Sequence, residues 1–129
     1  MSRLLLLEPD TVLAKVYARA LRSEGYRVNI VAGAQQAVYM ADKHTPDLII
    51  MEMQLARHNG LEFLYEFRSY PEWQKVPVVL HTLVPPAEFS ENTVLWHELG
   101  VAGYLYKPRT SLRQLLRAVR AYTLEHENI

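Results

Sequence analysis

Four short apolar runs, each too short for a helix, alternate along this chain with stretches whose apolar positions recur every three or four residues. That alternation restricts the fold more than any other feature. Continuous apolar strands are those covered on both faces, and strands alternating with amphipathic helices are the pattern of βαβ units. Leu4, Leu5, Leu6 and Leu7 form the first run, and Leu13, Val16, Tyr17, Ala20 and Leu21 then line one helical face up to Gly25. Residues 26–31 mix polar and β-branched side chains, as a less buried strand near a sheet edge does, and residues 35–43 follow as a helix with Ala37, Val38 and Ala41 inward. Pro46 and Asp47 open Leu48, Ile49, Ile50 and Met51, the most apolar run and therefore the central strand. Gly60 then precedes a helical face of Leu61, Phe63, Leu64 and Phe67. Residues 77–80 predict a fourth strand, 88–99 a fourth helix ended by Gly100, 103–106 a fifth strand and 111–124 a fifth helix.

With 129 residues, half of them hydrophobic, and no repeat or linker, residues 1–129 suit a single domain burying roughly two-thirds of its unfolded surface. Five βα units joined by right-handed crossovers predict an α/β fold: a doubly wound, five-stranded parallel sheet with helices on both faces. The usual order of such a sheet is 2-1-3-4-5, and ligands lie outside the carboxyl ends of its strands. Each apolar run ends there in a polar side chain: Glu8, Glu52, Thr82 and Lys107. Two carboxylates, a hydroxyl and an ammonium are suited to holding a hard cation and a phosphoryl or carboxylate oxygen. Plain solvation of strand exits is the alternative.

Composition removes several function classes. Fourteen Lys and Arg balance fourteen Asp and Glu, so no overall field favours nucleic acid, a membrane surface or an acidic substrate. The absence of cysteine excludes disulfides, a thiolate nucleophile and a cysteine zinc site, and fits a reducing compartment, with the cytoplasm expected. The first apolar run is broken at once by Glu8, Pro9 and Asp10, far short of a signal-peptide core or membrane span, so Met1 is expected to be an uncleaved start. The histidines, at 44, 58, 81, 97 and 126, lack metal-ligand spacing; His58 reads as a solvated loop residue and His81 as a hydrogen-bonded neutral imidazole. Trp73, Tyr65, Tyr70 and Trp96 read as partial core or surface anchors. The acidic turn after the first strand lacks the amides and hydroxyls that cradle phosphate, so a flavin is not expected.

Several motifs in order give the chain a resemblance to the receiver domain of two-component response regulators over nearly its whole length. Residues 4–10 (LLLLEPD) resemble the family's first strand and acidic pair, residues 46–53 (PDLIIMEM) its phosphoacceptor strand, and residues 59–62 (NGLE) its turn into helix 3. Thr82 and Lys107-Pro108 complete the set. The resemblance implies a flavodoxin-like fold, an Asp that ends strand 3 and accepts a phosphoryl group from a histidine kinase, and an acidic pair holding Mg²⁺. It further implies Thr and Lys on the phosphoryl oxygens, a switch aromatic at Tyr104 that changes rotamer with Thr82, and a cis Lys107–Pro108 bond.

Residue 52, however, is Glu, and Pro9 stands where the second acid belongs. One extra methylene displaces the acceptor oxygen by roughly an ångström, against a sub-ångström tolerance for in-line transfer. Mg²⁺ would keep Glu8, Glu52 and a backbone carbonyl such as that of Met53 or Gln54, so its binding is expected to be weak or absent and no other cofactor is expected. Asp10 reads as the N-cap of the first helix, not as a replacement ligand. The longer Glu52 can place its carboxylate near Lys107 and Thr82, imitating the phosphorylated state, while simple loss of the site's chemistry leaves the same sequence.

Arg113, Arg117 and Arg120 form one stripe on the last helix, whereas the fourth helix carries Glu88, Glu91 and Glu98 with no Lys or Arg, so the two helices have opposite charges. These complementary charges, on the surface of helix 4, strand 5 and helix 5 that receivers use for output, suggest a homodimer. The expectation is an atypical, non-enzymatic receiver, a pseudo-receiver acting as a phosphorylation-independent protein-interaction module, with a histidine kinase or effector protein as partner and no direct nucleic-acid or membrane contact. The alternatives are Mg²⁺-dependent phosphoryl acceptance at Glu52, or the regulatory part of a transcription regulator.

Overall fold

A computed structural model describes residues 2–55, 59–90 and 93–127. The strands β1 (Arg3–Leu7), β2 (Arg27–Val31), β3 (Leu48–Met51), β4 (Val78–Thr82) and β5 (Val101–Tyr106) form one sheet in the order β2-β1-β3-β4-β5. All neighbouring pairs are parallel. This is the doubly wound order expected, with the mixed strand β2 at an edge and the apolar β3 in the centre. Leu7 is in register with both Val31 and Met51, so three strands finish level. Pairing continues one step further: the Glu8 amide donates to the Val31 carbonyl at 3.0 Å and the Glu52 amide to the Leu7 carbonyl at 2.9 Å. Two carboxylates therefore leave the sheet side by side.

The helices are α1 (Thr11–Ser23), α2 (Ala34–Lys43), α3 (Gly60–Arg68), α4 (Pro86–Ser90), α5 (Thr93–Glu98) and α6 (Leu112–Glu127). The two-residue period of a strand sends alternate side chains to opposite faces. Leu5, Leu7, Ile49, Met51, Val78 and Leu80 pack with Ala37 and Ala41 of α2 and with Phe63, Leu64 and Phe67 of α3. Leu4, Leu6, Leu48, Ile50 and Val79 pack on the other face with Ala14, Ala18 and Leu21 of α1 and with Leu115 and Val119 of α6. Each such large side chain contributes about 1.5–3 kcal/mol by burial, which favours a sheet covered on both sides. Asp10 does cap α1: its Oδ1 accepts from the amides of Val12 and Leu13, both at 3.0 Å.

Three expectations need correction. The fourth helix begins at Pro86, whose fixed φ suits a first helical turn, and is described in two pieces, α4 and α5, with residues 91 and 92 outside the described residues. Strand β5 begins at Val101 instead of 103, because a bulge sets Val78 opposite Val101 and Val79 opposite Gly103 and so interrupts the alternation. The Lys107–Pro108 bond is trans: Pro108 sits inside a 3-10 turn, Lys107–Arg109, that its ring geometry accommodates and that the Thr110 amide closes on the Lys107 carbonyl at 3.2 Å.

Arg68, in the last turn of α3, ties several segments together. Its guanidinium donates to the carbonyls of Leu99 at 2.7 Å, Trp73 at 2.6 Å, Val76 at 2.6 Å and Gly100 at 3.3 Å. Gly100 has φ of 73°, and a Cβ there would meet the Arg68 guanidinium at 2.5 Å, so both backbone conformation and space demand glycine.

Candidate functional site

The four polar strand ends converge. Lys107 Nζ lies 2.5 Å from Glu8 Oε1 and 2.9 Å from Glu52 Oε1, and the three side chains are only 8%, 3% and 2% exposed. The Glu52 carboxylate is also approached from three other directions. Its Oε2 accepts the fully buried Thr82 hydroxyl and the Gln54 amide at 3.1 Å, and its Oε1 accepts the Leu83 amide at 3.0 Å. Four donors on two oxygens match the lone-pair capacity of a carboxylate. Glu8 Oε2 accepts the Asp10 amide at 3.1 Å.

Burial alone would push the Glu52 carboxyl up, but the Thr82, Lys107 and Gln54 hydrogen bonds overcome it and hold the group below the usual carboxylate range. Burial would push the Lys107 ammonium down, and the Glu8 and Glu52 carboxylates reverse this and raise it. Both partners are thus held charged across the neutral range. A network continues outward from the pair. The Val84 amide donates to Thr82 Oγ1 at 3.0 Å, and the Tyr104 hydroxyl donates to the Val84 carbonyl. Tyr104 packs against the core on the α2–α3 face of the sheet. One chain of contacts thereby joins Glu8, Lys107, Glu52, Thr82, Val84 and Tyr104, and pins the turn between β4 and α4.

Residues 4–120 match the response regulator receiver domain family. This chain belongs to that family. It is 31% identical over 118 residues to the transcriptional regulatory protein PdtaR of Mycobacterium tuberculosis, covering 91% of this chain and 54% of that protein. It is likewise 31% identical over 105 residues to the probable transcriptional regulator ycf29 of Porphyra purpurea, with 81% and 49% covered. The chain thus spans about half the length of these curated relatives. A CheY-like response regulator receiver domain protein of Methanospirillum hungatei has the same fold, with a TM-score of 0.86 over 99% of this chain and 98% of that one at 23% identity.

The receiver family implies an Mg²⁺ ion, and the donors present do not fit one. Mg²⁺ requires near-octahedral oxygen ligation. Here Pro9 supplies no side-chain donor, and the carboxylates of Glu8 and Glu52 share the ammonium of Lys107. The Met53 carbonyl, one of the backbone ligands anticipated, accepts the Gly60 amide at 2.7 Å. Among the described residues no three acidic, histidine or cysteine side chains gather to hold a metal.

Other residues singled out from sequence fall elsewhere in the receiver. His81 is 3% exposed and meets the Tyr17 ring edge-on at a centroid distance of 4.9 Å; burial, reinforced by Lys107, lowers its pKa to about 4. Arg113, Arg117 and Arg120 are exposed on α6, and Glu88 and Glu98 are exposed on α4 and α5. Glu91 and His58 lie outside the described residues. The participants that escaped sequence reading are all backbone groups: the amides of Asp10, Gln54, Leu83 and Val84, and the Val84 carbonyl under Tyr104. Backbone groups carry no sequence signal, although the turn after Thr82 was a place to look.

Proposed function

We propose that this receiver transmits a signal without being phosphorylated, as a protein-interaction module in a two-component or phosphorelay-type pathway. In this reading Glu52 replaces the acyl phosphate. The observation that carries it is that one carboxylate engages the Thr82 hydroxyl, the Lys107 ammonium and the Leu83 amide together. Thr and Lys are the groups that the family applies to phosphoryl oxygens, and the extra methylene of Glu extends the carboxylate toward them by roughly an ångström. Lys107, shared between Glu8 and Glu52, supplies the positive charge that a metal would otherwise bring.

The same contacts disfavour phosphoryl transfer to Glu52, since its lone pairs are engaged and no divalent cation would neutralise an incoming phosphoryl group. The module is read as non-enzymatic, without a cofactor, working in the cytoplasm on a sensor kinase or an effector protein. No helix among the described residues is long and apolar enough to cross a membrane. The names of the curated relatives favour a second, compatible reading, in which the domain is the regulatory part of a transcription regulator.

The test is intact mass after incubation with a small acyl-phosphate donor and Mg²⁺. No adduct is expected on the wild type, and a gain of adduct is expected when Glu52→Asp is combined with Pro9→Asp. A stoichiometric, base-labile adduct on the wild type that disappears in Glu52→Gln would overturn the proposal and make this a working receiver with an unusual acceptor.

A further inference from the structure

Outside the crevice, an acidic cluster and a basic stripe lie on opposite faces of the sheet. A groove of about 480 Å³ runs between α2 and the end of α3, walled by Tyr39, Asp42, Glu66, Tyr70 and Glu72 over the buried Trp73. Its three carboxylates have no ion-pair partner among the described residues, and its tyrosines are conspicuous: Tyr39 is 61% and Tyr70 37% exposed. Exposed tyrosine is a residue type that interfaces select, and its ring attracts cations. The groove already displays that property, because Lys43 Nζ stands 5.0 Å above the Tyr39 ring.

The complementary surface is on the same molecule. Arg113, Arg117 and Arg120 of α6 line a shallow depression with Leu112, Leu116 and one carboxylate, Glu24, so three cations face a single acid there, and the three guanidiniums make no ion pair among the described residues. Along the helix they span about 10 Å. The geometry points to self-association in which the arginine face of α6 docks into the α2–α3 groove of a second copy. Arginine suits this role because it forms forked hydrogen bonds with carboxylates and stacks on aromatic rings at once. The α2–α3 groove lies over one layer of the core and α6 over the other, so the two surfaces cannot meet within one molecule. The contact is therefore heterologous, joining copies head to tail into a ring or an open chain.

This counterpart differs from the acidic fourth-helix face anticipated from the sequence, whose described acids, Glu88 and Glu98, sit on two separate short helices. One experiment separates the two. Sedimentation velocity of the wild type at rising concentration is expected to show species larger than the monomer, which dissociate as salt rises from about 50 mM to about 500 mM. The groove variant Asp42→Lys/Glu66→Lys/Glu72→Lys and the stripe variant Arg113→Glu/Arg117→Glu/Arg120→Glu should each be monomeric alone. Mixed, they should associate, because each groove then meets a helix of opposite charge. The milder pair Glu66→Lys and Arg117→Glu serves if a triple variant loses its circular dichroism. A wild type that stays monomeric throughout overturns the inference. So does a folded groove variant that associates like the wild type, which would assign the stripe to the fourth-helix acids instead. Folded variants that fail to associate when mixed would also overturn it.

Discussion

Glu8 and Glu52 share one ammonium inside the crevice, whereas Asp42, Glu66 and Glu72 surround an open groove without a cation partner of their own among the described residues. The first set is almost completely removed from water and fully hydrogen-bonded. The second keeps its hydration and its field. A buried charge that lost its partner would be strongly destabilising, so the crevice charges are tied to conformation. A hydrated surface charge is nearly neutral for stability and remains free to select a partner. Within one small domain, burial thus divides carboxylates into those that hold the fold in a state and those that face outward for recognition.

The strongest way to break this division is Lys107→Met, which leaves two buried carboxylates without their cation. A loss of about 3–5 kcal/mol in urea unfolding is expected, partly recovered by adding Glu8→Gln. Glu52→Gln should cost less, about 1–3 kcal/mol, since the amide oxygen that remains still serves two of the four donors while Lys107 retains Glu8. It should also speed hydrogen exchange at the Leu83 and Val84 amides, which the Glu52–Thr82 pair now holds.

Acid and base titrations sharpen the contrast further. The lowered Glu52 carboxyl contributes stability that is present above the ordinary carboxyl value of 4.5 and lost as pH falls through its folded value. The raised Lys107 ammonium contributes stability that is present below 10.5 and lost as pH rises through its folded value. Neutral, buried His81 acts in a different window. The unfolded chain binds its proton from 6.5 downward and the folded chain only near 4, so stability should decline between those values, and His81→Phe should flatten that limb. The smallest effect on stability belongs to the groove. Glu66→Lys should change unfolding free energy by no more than about 0.5 kcal/mol, while its effect on self-association is large.

The fold was legible because parallel strands buried on both faces must be written as continuous apolar runs, and Leu48, Ile49, Ile50 and Met51 are such a run. Strand β5 was less so: its residues are only partly buried and a bulge interrupts its period. The convergence of Glu8, Glu52, Thr82 and Lys107 followed from strands ending level. That Lys107 bonds both carboxylates, and that three backbone amides join them, depends on distances no linear pattern encodes. The groove was illegible for another reason, as residues 42, 66 and 72 come from three separate segments and each alone looks like an ordinary solvated acid. Arg68 shows the same effect more sharply. At the end of α3 it reads as a routine basic residue in a last turn, yet it holds four carbonyls.

Those carbonyls belong to stretches of chain on either side of β4: Trp73 and Val76 before it, Leu99 and Gly100 after α5. A single side chain fastened to both makes their local openings one event, because neither stretch can leave without stranding a guanidinium. The end of α3, the loop into β4 and the entry to β5 should therefore behave as one cooperative unit, their slowly exchanging amides sharing a common opening free energy. In Arg68→Lys, where one ammonium cannot reach in as many fixed directions, that unit should come apart into independently fluctuating pieces.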